Sequence, residues 1–224
     1  MTTRLASASV PLVSGQPATA FGTTSNTQGE LLATGSEFTL NGVFQRFWEQ
    51  NGGLPVFGYA LTESFEQVNP DSAQLRTTQY VERQRFEHHP ELAGTPYEVL
   101  IGRLGVTSAE RRGLLGTEAF QPLTANPGGS DCLFFAETGH SLCGRFLTYW
   151  RSQGLEMGDA GVSMRESVAL FGYPISEVFT DPDTGLSSQY FERAIFEHHP
   201  ANDGTAYEVL LVRLGADAIE HGDW

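Results

Sequence analysis

The chain contains no lysine. All 13 basic residues are arginine, against 27 acidic ones, and the formal net charge is −14 over 224 residues. Such a surplus of negative charge repels phosphate backbones and anionic lipid. It counts against nucleic acid as a partner and against simple electrostatic attachment to a membrane. No run of about twenty apolar residues occurs, so no transmembrane helix is expected. Cysteine is scarce too. With only Cys132 and Cys143, a thiolate zinc site lacks its third and fourth ligands. Ser/His/Asp and Cys/His signatures, Gly-x-Ser-x-Gly and phosphate-cradling loops are missing, and the Gly-Gly pairs at 52–53 and 128–129 are isolated punctuation. No cofactor is expected.

Hydrophobic residues make up 40% of the chain and aromatics 11%, enough for a packed core. Residues 1–30 differ: they are rich in Ser, Thr, Ala and Gly and read as an extended tail. Arg4, the weak apolar stretch Leu5–Val13 and Ala18-Thr19-Ala20 suggest a processed signal, although serines and Pro11 interrupt the stretch. A linker is the second reading. A donor strand around Val10–Val13 is the third, with Pro11 suited to an edge.

What the chain has in quantity is self-similarity. Gln79–Gly105 and Gln189–Gly215, offset by 110, are identical at 18 of 27 positions. Both contain Phe-Glu-His-His-Pro, at Phe86–Pro90 and Phe196–Pro200. Phe57-Gly58-Tyr59 matches Phe171-Gly172-Tyr173 at an offset of 114, and Leu40, Gly42, Phe44 and Trp48 match Leu142, Gly144, Phe146 and Trp150 at 102. The second copy therefore carries twelve extra residues, somewhere in Gln153–Val168. The expected organisation is a tail (1–30), module one (31–106), a connector (107–131), module two (132–216) and a C-terminal tail (217–224).

The fold class expected is α+β, each module one short amphipathic helix and a three-stranded antiparallel meander. The helices are read at Val43–Gln50, ended by Asn51-Gly52-Gly53, and at Leu142–Gln153, ended by Gly154. The strands are Thr77–Val81, Arg85–His88 and Tyr97–Ile101, and in copy two Ser187–Phe191, Ile195–His198 and Tyr207–Val212. Val81 and Phe86 fall on opposite strand phases, which predicts a tight turn between them. A lone meander buries little, so the copies should pack together, with Phe86, Phe196, Tyr97 and Tyr207 buried. Cys132 and Cys143 bracket ten residues. Strands folding back at Thr138-Gly139 would bring them together, and a disulfide there contributes ~2–3 kcal/mol. It would imply an oxidising compartment, hence an extracellular or cell-surface protein. Two buried free thiols are the alternative.

The helix, the Phe-Gly-Tyr-Pro-like turn and the Gln-Tyr-Phe-Glu start of the hairpin resemble the LGFP repeat of secreted actinobacterial cell-wall proteins. They are more similar still to a tandem module of unknown function in extracellular proteins of other GC-rich bacteria. The likeness is carried by Trp150, Phe171–Pro174, Gln189–Arg193 and Phe196–Pro200 and covers about 160 of 224 residues. The usual Leu-Gly-x-Pro core stands here as Phe-Gly-Tyr-Pro or Phe-Gly-Tyr-Ala. The resemblance implies a non-catalytic repeat associated with envelope polymers.

Three sets of residues carry candidate chemistry. His88, His89, His198 and His199 are imidazoles of the kind zinc or copper accepts. Neighbours on a strand face opposite ways, so a metal would need one histidine from each copy; a histidine held by a carboxylate before a turn proline is the plainer reading. The repeated carboxylates Glu63/Glu177, Glu82/Glu192, Glu87/Glu197 and Glu98/Glu208 would suit a glycan hydrolase, but duplicated surroundings do not split acid from base. Trp48, Tyr59, Trp150 and Tyr173 are candidates for a binding face among mostly core aromatics. The leading expectation is a non-catalytic extracellular protein that binds envelope polymers or polysaccharide. The competing ones are a self-assembling subunit whose partners are other copies of itself, and the hydrolase.

Overall fold

The computed structural model describes residues 37–223. Helix α1, Gly42–Gln50, buries Phe44 and Phe47, and Asn51 ends it by bonding Phe47 O through both its N–H (3.1 Å) and its Nδ2 (2.7 Å). Helix α2, Gly53–Phe57, follows at once. Strands β1 (Phe65–Val68), β2 (Leu75–Tyr80), β3 (Arg85–His88) and β4 (Val99–Ile101) then form an antiparallel sheet in sequence order. Helix α3, Leu104–Arg111, leads away from it. Strands β5 (Cys132–Phe135) and β6 (His140–Cys143) form a hairpin in which Cys132 pairs in register with Cys143 and is disulfide-bonded to it. Helices α4 (Gly144–Ser152) and α5 (Met164–Phe171) precede a second antiparallel sheet, β7 (Phe179–Thr180), β8 (Ser187–Tyr190), β9 (Ile195–His198) and β10 (Val209–Leu211), again in sequence order. Helix α6, Leu214–His221, closes the described chain.

The protein is thus α+β with antiparallel sheets, as expected. Several details differ. Each sheet has four strands rather than three, because β1 and β7 pair with β2 and β8. Tyr97 and Tyr207 are 38% and 67% exposed rather than buried. A turn in which Glu98 N–H donates to Thr95 O, and Glu208 N–H to Thr205 O, delays the last strand of each sheet to Val99 and Val209. Leu142, expected in a helix, lies in β6 opposite Leu133. Helices α3 and α6 run past residues 106 and 216, where module ends were drawn.

Phe86 and Phe196 are both fully buried and occupy matching aromatic settings. Phe86 meets Phe47 and Phe57 edge-on at 5.1 and 5.0 Å; Phe196 meets Tyr149 and Phe171 edge-on at 5.1 and 4.8 Å. Such pairs add about 0.5–1.5 kcal/mol each beyond the area they bury. A single hydrophobic cluster contains Phe44, Phe86 and Ile101 from the first half and Phe146, Trp150 and Phe196 from the second.

The halves are joined reciprocally. The N–H groups of Gly105 and Val106, at the start of α3, donate to Glu192 O (3.0 and 3.2 Å), in the β8–β9 turn. The N–H of Ala216, at the start of α6, donates to Glu82 O (3.2 Å), in the β2–β3 turn. Helix N-termini have N–H groups with no partner inside the helix, and each half supplies a carbonyl to the other's. The approach is close enough that a Cβ on Gly105 would lie 1.9 Å from Phe191 O, and one on Gly215 1.8 Å from Val81 O. The repeated Arg-Leu-Gly marks this joint. Arg103 pairs with Glu192 (3.3 Å) and Arg213 with Glu82 (2.6 Å).

Candidate functional site

Most of the residues shared by the two halves hold the fold. Gln79 donates from Nε2 to Thr39 O and Thr62 O, and Gln189 to Ser141 O and Ser176 O. Gly58 and Gly172 have φ near +78° and +77°, and a Cβ on either would run into the side chain of Glu82 or Glu192. Those carboxylates fold over the glycine and accept from the N–H of Tyr59 (3.4 Å) and Tyr173 (3.1 Å). That is why Phe-Gly-Tyr recurs with a downstream Glu.

Several other carboxylates are similarly engaged. Glu98 and Glu208 accept from Gly94 and Gly204 N–H. Glu177 accepts from Ser141 N–H (2.8 Å) and pairs with His140 (3.3 Å), whose burial pulls its pKa down. Glu87, buried, accepts from Arg85 Nε (2.8 Å) and Asn69 Nδ2 (2.6 Å). The histidines pair close to home: His88 with Glu98, His89 with Glu91, His198 with Asp203 and His199 with Glu197. Among the described residues, no group of three or more His, Cys, Asp or Glu side chains is placed to hold a metal ion.

Of the four aromatics named from the sequence, Trp150 is 1% exposed and packs in the core. Its place beneath the hairpin, edge-on to Phe135 at 5.6 Å, explains the burial. Trp48 packs on the core and donates from Nε1 to Gly58 O (3.0 Å). Tyr59 is half-buried. Tyr173 lines an open groove.

That groove has a volume of about 480 Å³ and opens where the two halves meet. One wall is the outer strand of the first sheet, with Val99 and Ile101, and Tyr97 in the turn before it. The other is α5 and the segment before it, with Leu155, Met157, Met164 and Val168. Tyr173 and Arg193 complete it. Arg193 donates from Nε to Ile101 O (3.0 Å) and from Nη1 to Val168 O (3.3 Å), stitching one wall to the other, and burial pulls its pKa down. Arg165 stands on the α5 side, half-exposed, bonded from Nη2 to Asp159 (3.0 Å) and Met157 O (3.2 Å). The Asp159 bond raises the Arg165 pKa; Asp159 itself is pulled down, first by the Ser163 hydroxyl and also by Arg165.

The α5 wall is folded by its own signals. Ser163 accepts from Glu166 N–H, and the Glu166 side chain returns to Ser163 N–H (2.9 Å), a complete capping box. Glu166 also accepts from Met157 N–H (2.9 Å), which draws the preceding loop against the helix. These bonds hold its pKa down. Leu155, Met157, Met164, Arg165 and Val168 all fall inside 153–168, the stretch containing the second half's twelve extra residues. Sequence reasoning found the insertion but assigned it no role. The expected N-terminal tail and donor strand lie outside the described residues. No protein-family model, curated protein or solved structure matches the chain.

Proposed function

We propose that the chain is a non-catalytic extracellular binding protein, formed from two copies of one module, with the groove between the copies as its binding face. The carrying observation is the origin of the groove. One wall comes from the first sheet, and much of the other from 153–168, the stretch that contains the second half's twelve extra residues. Besides seating Leu155 in the core and donating Glu156 N–H to Asn51 Oδ1, that stretch ends as the wall of an open, largely apolar cavity. Its volume, its position at a junction and its few polar groups fit the usual character of small-ligand sites, which span about 300–1,000 Å³.

Other observations support the reading. Glu82, Glu192, Glu98 and Glu208 each hold a backbone N–H and so serve the fold. The Cys132–Cys143 disulfide fits an oxidising compartment. No helix among the described residues is long and apolar enough to cross a membrane. The partners proposed are polymers of the cell envelope, polysaccharide among them. The test is co-sedimentation of the whole chain with insoluble envelope polymer. Retention of the native chain, with loss in an Ala169→Trp variant that fills the groove, is expected. Equal retention of both places binding elsewhere, and no retention refutes the reading.

A further inference from the structure

The lining of the groove reverses the charge of the molecule. The chain has 27 acidic residues against 13 basic ones. Yet among the described residues the groove is lined by two arginines, Arg165 and Arg193, and by no aspartate or glutamate. The remaining walls are apolar: Leu155, Met157, Met164, Val168, Val99 and Ile101. Methionine is unbranched and adaptable, and two facing one cavity suit a flexible aliphatic guest better than a rigid one. Sugar recognition asks for the opposite, a dense set of side-chain donors and acceptors around the hydroxyls. Here the polar side chains are Tyr97, Tyr173 and the two arginines, and both arginines already hold backbone carbonyls.

We infer that the groove binds a single unbranched aliphatic chain ending in a carboxylate, a free fatty acid, with its tail along the methionine wall and its head group beside Arg165. The inference rests on the binding reading above and moves the ligand from a sugar to an aliphatic anion. Arg165 is the head-group partner because it is half-exposed on the α5 wall and carries one carboxylate, Asp159, on Nη2. Arg193 is the less available of the two, since Ile101 O and Val168 O occupy its Nε and Nη1.

The experiment is calorimetric titration of the whole chain with octanoate, decanoate and dodecanoate, each below its micellar concentration, with dodecyltrimethylammonium as the cationic control. One carboxylate should bind per chain. Each pair of added methylenes should tighten binding by up to about fifteenfold, at ~0.8 kcal/mol per buried CH₂. Ala169→Trp should weaken dodecanoate at least tenfold. Met164→Glu, at a half-exposed helix position where folding is not at risk, should do the same by placing a negative charge on the wall. Arg165→Gln should weaken the carboxylates without changing the chain-length dependence. The inference is overturned if affinity ignores chain length, if the ammonium binds as well as the carboxylate, or if Met164→Glu binds normally. It is also overturned if a dimeric chain binds nothing, which would give the groove to a second copy. Retention on envelope polymer without dodecanoate binding rejects the fatty acid and leaves the binding function standing; neither result rejects both.

Discussion

The reciprocal joint makes a prediction about two glycines that resembles no ordinary Gly→Ala change. Gly105 lies in the first turn of α3 and needs no positive φ, so its backbone accommodates alanine. In an open helix the substitution would add about 1 kcal/mol of stability through helix propensity. Here the new Cβ would sit 1.9 Å from Phe191 O, with Ala194 O and Glu192 O both at 3.1 Å. Backbone carbonyls cannot swing aside as a side chain does, so the helix start must retreat. Retreat lengthens two hydrogen bonds to Glu192 O, each worth roughly 0.5–1.5 kcal/mol net. Overpacking adds about 1–3 kcal/mol. After the propensity gain, Gly105→Ala should cost ~1–5 kcal/mol, a fall in Tm of about 2–20 °C for a domain of this size. Gly215→Ala, with its Cβ 1.8 Å from Val81 O, should cost a similar amount. Gly116→Ala, which meets nothing within 4 Å, is the control and should change little. Urea unfolding followed by tryptophan fluorescence measures all three. A Gly105→Ala variant as stable as the native chain would show that the halves are not held at this joint.

Three further outcomes follow from the same structure. Thiol titration of unfolded, unreduced protein should find no free cysteine, and reduction should cost ~2–3 kcal/mol. Burial holds the folded pKa of His140 below its unfolded value of about 6.5. The unfolded chain then binds more protons, so that part of the stability is intact above about pH 6.5 and is lost as pH falls toward the folded pKa; His140→Gln should flatten this slope in pH-dependent urea melts. Arg85→Ile alone should cost about 3–5 kcal/mol by leaving Glu87 buried without its cation, whereas Arg85→Ile with Glu87→Leu should come within about 1–2 kcal/mol of the native chain.

The parts of the fold legible in the sequence were those with a strong local period or a strong local breaker. Arg85–His88 and Ile195–His198 are strands with the bounds read from their phase, and the turn before each was demanded by the opposed phases of Val81 and Phe86. The cysteine hairpin was legible because so short a loop has few ways to close. What escaped notice was weak in composition. Strand β1 reads Phe-Glu-Gln-Val and alternates half-buried with exposed, but over four residues with only two apolar ones it competes poorly with a loop. Helix α2 has five residues, one a proline, and is held by packing rather than propensity. Tyr97 and Tyr207 were misjudged because aromatic identity suggested burial, while the Thr-initiated turn before each strand decides exposure. The groove was legible only as an insertion of unequal length. Its walls come from segments more than fifty residues apart, and no local pattern reports what lies across a junction.

The two halves also differ in a way that bears on function. At one corner of each sheet a tight turn starts at Asn69 or Asp181, whose Oδ1 accepts from the N–H of Asp71 or Asp183. In the first half Asn69 is neutral and donates to the buried Glu87, whose charge Arg85 balances from within the same strand. In the second half the turn residue is itself charged. Asp181 takes both oxygens to Arg112 (2.7 and 2.8 Å), supplied by the segment that links the halves, and the position of Arg85 is filled by Ile195. Arg112 and Asp183 pair at the rim of the same corner, and the Arg112 guanidinium also lies over the ring of Tyr190, whose pKa burial pushes up to about 12. One backbone has therefore been kept under two incompatible charge arrangements, each complete in its own setting. Exchanging a single member, such as Ile195 for arginine, would leave a buried cation with Glu197 only part-buried beside it. The halves differ at this corner, while the contacts at the joint between them are reciprocal. The twelve extra residues of the second half fall within 153–168, spanning the α4–α5 connection and the start of α5, away from the paired glycines and carbonyls that hold the halves together.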